Sequence, residues 1–244
     1  MRTPSALLAA IALPAALALL PAASATAQPA NHTLAAFSIW KPKEGQAALF
    51  EAGYKRHLQW HVSAGDRWNW YAWFILSGPR SGQFVDATFG HAWADLDHRV
   101  DPAGDGADNS LHTEPFAEFL TGYKLIRLPF SDVEDSTLLG TRYMRMLTID
   151  VSNAAAATTI IAAAAAALRQ KLPGQKLLAY EKLDGGGLGQ LVLLLGVNTW
   201  DDYGKLAGWQ DELSDIDHRN ARPVITAITA ETLVFRRDMS EPKN

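Results

Sequence analysis

Two histidines and four of the chain's eight tryptophans fall within twenty residues, KRHLQWHVSAGDRWNWYAWF at positions 55–74. Imidazole is the side chain suited to moving protons near neutral pH and to ligating metals. Indole rings build apolar walls with one polar handle. On a helix of 100° per residue, Phe50, Tyr54, His57 and His61 form one stripe with Ala47 and Leu58 beside it, while Lys55, Arg56, Gln59 and Ser63 fall away. Both imidazoles therefore lie on the face such a helix buries. Two buried imidazoles on adjacent turns cost more than two leucines unless something uses them.

Three uses are open. As a metal site, His57 and His61 offer two ligands on one helical face, but RHLQWH lacks the glutamate of H-E-x-x-H, and the third ligand has to be sought at His91 or Asp86. The residues commit to no metal. As a haem or aromatic-ligand site, one imidazole holds iron or hydrogen-bonds a ligand while tryptophans line an apolar pocket. As structure, both rings reach water or backbone carbonyls. The ligand reading draws its walls from His57, His61, Trp68, Trp70, Tyr71, Trp73, Asp86, His91 and Trp93, and suits a small apolar or aromatic molecule. It singles out no catalytic residue, and the choice between an enzyme and a non-catalytic structural or interaction module stays open.

Other motifs carry less. The segment from Asp101 to Ser110 has a calcium-loop start, but Ala103 and His112 stand where ligands belong, so it reads as a solvated acidic turn. The glycine-rich run from Asp184 to Gly189 lacks the Lys-Ser/Thr of a phosphate loop and reads as a hairpin turn. No G-x-S-x-G elbow is present. Glu114 and Glu118 read as ordinary complements to a helix start, and Asn31-His-Thr33 is a sequon relevant only in a eukaryotic secretory pathway.

The elements that must position the histidines follow from periodicity. The first half reads as strand Leu34–Trp40, helix Gly45–Ala64, strands Trp68–Leu76 and Gln83–Ala92, a polar loop, helix Glu114–Gly122 and strand Lys124–Leu128. A polar linker, 131–142, follows. The second half reads as strand Tyr143–Val151, the alanine-rich helix Ala154–Lys171, strands Lys176–Leu183 and Leu191–Val197, helix Trp200–Leu213 and strand Thr232–Arg237. Gly82-Gln83 and the later Trp93-Ala-Asp95 reappear 107 positions on (189 − 82) as Gly189-Gln190 and Trp200-Asp-Asp202. The pattern is a βαββαβ unit used twice, over 34–130 and 143–238.

That doubled order resembles the dimeric α+β-barrel superfamily in a tandem-fused form, with antibiotic-biosynthesis monooxygenases, haem-degrading enzymes and NIPSNAP-like proteins among its members. The resemblance implies an α+β fold of two ferredoxin-like units and a ligand between sheet and helices. It carries over a location and no catalytic residue. An oxidative activity, cofactor-independent or haem-linked, is what it suggests, and a homo-oligomer is compatible with it.

Composition narrows the classes. A basic start at Arg2, an apolar run from Ala6 to Leu20 broken by Pro14, and Ala25-Thr26-Ala27 read as a secretory signal peptide over residues 1–27, so the expectation is an exported protein, periplasmic or secreted. Losing Arg2 leaves 21 of the 22 Lys+Arg against 26 Asp+Glu, a net acidic chain without the basic patch that nucleic acid requires. The absence of cysteine excludes disulfides, Cys-zinc sites and thiol nucleophiles.

Overall fold

The computed structural model describes residues 33–132, 134–187 and 189–242; the leader read over 1–27 lies outside them. The first half runs β1 (Leu34–Pro42), α1 (Ala47–Ser63), β2 (Tyr71–Ser77), β3 (Phe84–His91), a 3₁₀ turn (Trp93–His98), α2 (Pro102–His112) and β4 (Ala117–Arg127). After the short α3 (Ser136–Leu139), the second half repeats the order: β5 (Tyr143–Val151), α4 (Ala154–Lys171), β6 (Leu178–Lys182), β7 (Gln190–Val197), α5 (Trp200–Lys205), α6 (Trp209–His218) and β8 (Ile225–Phe235).

The eight strands close into a barrel in the order β1-β3-β2-β8-β5-β7-β6-β4, every pair antiparallel. Each half contributes the same arrangement, β4-β1-β3-β2 and β8-β5-β7-β6. The halves are stitched by β2 on β8, with Trp73 opposite Phe235, and by β4 on β6, with Leu125 opposite Lys182. Both sheets of the barrel thus come from one chain. The echoed glycines occupy matching places: Gly82 and Gly189 have φ of 83° and 82° in the turns that lead into β3 and β7, two residues and one residue before the strands.

Strand alternation sorts the side chains into three cores. Phe37, Trp73, Val85, Tyr123, Met144 and Leu194 point into the barrel. Trp40, Ala72 and Phe84 point out under α1, where Phe50, Tyr54 and Leu58 cover them. Leu147, Ile149, Leu191 and Leu193 meet α4 through Ala157, Ile161 and Leu168. The alanines of α4 let it lie close on the sheet. Leu138 and Leu139 of α3 join the barrel core, and a Cβ on Gly196 of β7 would lie 2.9 Å from Leu138 Cδ1. The linker helix therefore plugs the end of the barrel where β5 begins and β7 finishes.

Two expectations are corrected. The helix expected over Glu114–Gly122 is strand: β4 pairs with β1 from Ala117 opposite Pro42 to Ile126 opposite Leu34, and ladder pairing overrides the helical spacing of Phe116, Phe119 and Leu120. The solvated turn after Asp101 is instead the helix α2. Asp101 caps it by accepting from Gly104 N–H at 3.0 Å, and Pro102 starts it. Gly104 and Gly106 disguise this helix as a loop.

Candidate functional site

Helix α1 buries Phe50, Gly53, Tyr54, His57, Leu58 and His61, so both imidazoles face inward at 5% exposure each. They are reached by α2, which packs across α1 at Gly53. A Cβ there would lie 1.8 Å from His112 O, so only glycine lets the helices approach this closely. The crossing delivers Asp105, Asp108 and Asn109, residues i, i+3 and i+4 on one face of α2, to the histidines.

The geometry is convergent. His57 Nε2 and His61 Nε2 lie 3.1 Å apart, and Asp105 Oδ1 lies 3.3 Å from the first and 3.7 Å from the second. The outward nitrogens are each held by a carboxylate: His57 Nδ1 meets Asp108 Oδ2 at 2.9 Å, and His61 Nδ1 meets Asp66 Oδ2 at 2.8 Å. Imidazole that gives its Nδ1–H to a carboxylate presents an Nε2 lone pair. Two such lone pairs and an anionic oxygen then face one point, and only a positive charge among them makes this favourable. Donors about 2.1 Å from one ion stand about 3.0 Å apart at right angles and about 3.4 Å apart at tetrahedral angles. The 3.1 and 3.3 Å separations match that spacing, and the 3.7 Å separation is about 0.3 Å wider.

The surroundings hold this set in place. Asp66 also accepts from Trp68 N–H at 3.0 Å and Trp70 Nε1–H at 2.9 Å. Burial works against its charge, but His61 and these two donors outweigh it and lower the carboxyl to about 2. For Asp105, burial is likewise outweighed by His57, His61 and Arg99, and its pKa falls. Burial would lower His57, yet Asp105 and Asp108 raise it overall. Trp60 stacks on His57 at 4° between planes, and Trp70 lies 4.8 Å from the His61 ring.

A cavity of about 90 Å³ opens at this cluster, lined also by Ser38, Trp40, Tyr54, Trp70, Asp86 and Arg99. Two buried oxygens in its lining have no partner, Asp86 Oδ1 and Asn109 Oδ1. Burial pushes the Asp86 carboxyl up to about 6, against hydrogen bonds from Ser38 and Tyr54. Asn109 presents its Nδ2 to His57 Nε2 at 3.0 Å and to Asp105 Oδ1 at 3.2 Å. Rotating the amide by half a turn aims Oδ1 at the same point as the other donors.

Of the residues read as pocket walls, the structure brings His57, His61, Trp70 and Asp86 together. Tyr71 and Trp73 belong instead to the barrel interior, because alternation along β2 turns odd positions away from α1. His91 bonds Thr88 Oγ1 at 2.6 Å and lies 4.1 Å from the Trp68 ring centre, beside the cavity lining and not in it. Trp93 is 52% exposed at the start of the 3₁₀ turn, as Trp200 is at the matching place in the second half. The group that the structure places beside both imidazoles is Asp105, and neither His91 nor Asp86 joins that cluster. Haem does not fit: the cavity is far smaller than a tetrapyrrole, and both Nε2 atoms point at each other. Asp66, Asp105, Asp108 and Asn109 escaped the sequence reading, although Asp101-Pro102 is a helix-start signal that puts the last three on one face.

No protein-family model matches the sequence, and no curated protein matches it. Solved structures do. A monooxygenase-like protein of Fusobacterium nucleatum superposes with a TM-score of 0.59 at 11% identity, over 86% of this chain and 94% of that one. An anthrone oxidase-like protein gives 0.55 at 14% identity, over 86% and 93%. A variant chlorite dismutase of Candidatus Nitrospira defluvii gives 0.54 at 9% identity, over 86% and 93%. At these identities the likeness establishes the fold, that of the ferredoxin-like α+β barrels.

Proposed function

We propose that the seam between α1, α2 and the first-half sheet is a mononuclear divalent-metal centre, with His57 Nε2, His61 Nε2 and Asp105 as ligands and Asn109 Oδ1 as a fourth donor. The observation that carries this reading is the convergence of three donor atoms, all within 4.8 Å of one another, each imidazole being fixed by a carboxylate behind it. Two histidines and one carboxylate with open positions is the donor set of non-haem Fe(II) oxygenases, and two histidines with a carboxylate also serve catalytic zinc. Such an ion supplies Lewis acidity and a coordination site for dioxygen, water or substrate oxygen.

The chain's own residues do the rest. Asp66 and Asp108 hold the rings in the ligating tautomer, and Arg99 anchors the second oxygen of Asp105 at 2.5 Å. Trp40, Trp70 and Tyr54 keep bulk water away. The activity this supports is an oxidative transformation of a small molecule that presents one polar group to the 90 Å³ cavity, in keeping with a fold shared with monooxygenase-like and anthrone oxidase-like proteins. Separately, from the sequence pattern of residues 1–27, we propose that the protein is exported with a mature form beginning at Gln28, which mass spectrometry of secreted material tests. No helix of the described residues is long and apolar enough to cross a membrane.

Titration of chelator-treated protein with Co(II) tests the centre. One equivalent should bind, develop visible absorption bands and quench tryptophan emission through Trp60 and Trp70, and His57→Ala should abolish all three. A His–Asp network that binds no divalent ion and leaves tryptophan emission unchanged would mean that the cluster is structural.

A further inference from the structure

The two ends of the barrel differ. One is filled by Leu138 and Leu139 of α3. The other, where Asp150 near the end of β5 pairs with Gln190 at the start of β7, contains a cavity of about 270 Å³. Its floor is apolar, made by Tyr123, Met146 and Val192, and its rim is ionic. Arg80 is engaged, since its Nε and Nη2 grip both carboxylate oxygens of Glu231.

Lys182 and Asp150 are not so used. They form no direct ion pair; Gln190 stands between them, accepting from Lys182 Nζ at 3.1 Å and donating to Asp150 Oδ1 at 2.7 Å. Lys182 otherwise lies 4.7 Å from the centre of the Tyr123 ring, and among the described residues the second oxygen of Asp150 accepts no hydrogen bond. The room above the ammonium is built in: a Cβ on Gly186 would lie 2.6 Å from Lys182 Nζ. Thr148 and Thr229, opposite each other on β5 and β8, also line the cavity, and among the described residues their hydroxyls have no hydrogen-bond partner. An opposite pair of charges held apart by an amide, over an apolar floor, matches a molecule that carries both charges itself.

We infer that this open end of the barrel binds a small zwitterion of the α-amino-acid type, with its carboxylate on Lys182 and the threonine hydroxyls, its ammonium on Asp150 and an aliphatic side chain on Met146 and Val192. The site is separate from the histidine cluster, on the inner face of the barrel and not the outer. Burial and the neighbouring Arg80 lower the pKa of Lys182, a strain that an incoming carboxylate relieves.

The test is calorimetric titration of the full chain with L-leucine, 4-methylpentanoate and isoamylamine, three probes of one shape that differ in charge. Leucine should bind at one site, and each single-charge analogue about tenfold more weakly or worse. Lys182→Met should lose leucine and 4-methylpentanoate together, and Asp150→Asn should reduce leucine to the level of 4-methylpentanoate. Neither variant touches the histidine cluster, so Co(II) binding reports that each is folded and separates failure here from failure there. The inference is overturned if leucine gives no binding heat, if either analogue binds as tightly as leucine, or if both variants bind leucine like the parent.

Discussion

Helices α1 and α4 occupy the same place on their sheets and are crossed at the same place by α2 and α6, yet the first seam buries an ionic cluster at positions where the second is apolar. Where α1 carries His57 and His61, α4 carries Ala164 and Leu168, at 0% and 2% exposure. Where α2 brings Asp105 and Asn109 against the imidazoles, α6 brings Trp209 and Leu213, and Trp209 Nε1 donates to Ala164 O at 3.2 Å. The second seam shows what this backbone needs to fold. The first contains groups that folding alone does not require, since replacing a buried ionic network by matched apolar residues is often neutral or stabilising.

The comparison can be broken most severely by transplanting half of it. Ala164→His with Leu168→His puts two imidazoles beside Trp209 and Leu213 in a seam whose Glu212 is already paired with Lys171, and the added volume with unpaired polar groups should cost about 4 kcal/mol in chemical denaturation. A mild loss would show that the second seam is as permissive as the first. The reverse exchange, His57→Ala with His61→Leu, leaves Asp66, Asp105 and Asp108 without their imidazoles in a buried place. It should cost about 3 kcal/mol, and further replacement of Asp66 and Asp108 by asparagine should recover part of it. Failure to recover would mean that the imidazoles matter for packing and not for charge.

Gly53→Ala sharpens the role of the helix crossing. A methyl group at His112 O must push α2 away, which should cost about 2 kcal/mol and weaken metal binding although no ligand is altered. Unchanged metal affinity would separate the crossing from the site.

The fold was legible because it is written twice. Alternation in Tyr143–Val151, the alanine-rich helix Ala154–Lys171, and the Gly-Gln echo before β3 and β7 all agree with tertiary structure. The site was half legible. The stripe Phe50, Tyr54, His57, His61 is a local property of one helix and survives into the structure. Its partners lie on a second helix disguised by Gly104 and Gly106, and the register of α2 on α1 is set by a contact at Gly53 that no local pattern reports. Tyr71 and Trp73 lie in the barrel core and away from the histidines, and the sequence does not report this because both faces of β2 are buried.

A smaller effect comes from Asp86, whose carboxyl is raised to about 6. The folded state holds that proton more tightly than the unfolded state does, so stability falls as pH rises from about 4 to about 6 and levels off above. Asp86→Asn should remove this slope and make the protein about 1–2 kcal/mol more stable at pH 7, with little change at pH 4. A destabilised variant at pH 7 would mean that the carboxylate is held by something the seam does not show, a bound cation among the candidates.

The most direct measurement is a crystal soaked in Co(II), with diffraction collected at the cobalt absorption edge. The account predicts one strong anomalous peak about 2.1 Å from His57 Nε2, His61 Nε2 and an Asp105 oxygen, and none in the matching seam beside Ala164 and Leu168. An ion bound elsewhere, or a seam that stays empty while His57 and His61 remain hydrogen-bonded to each other, would contradict it.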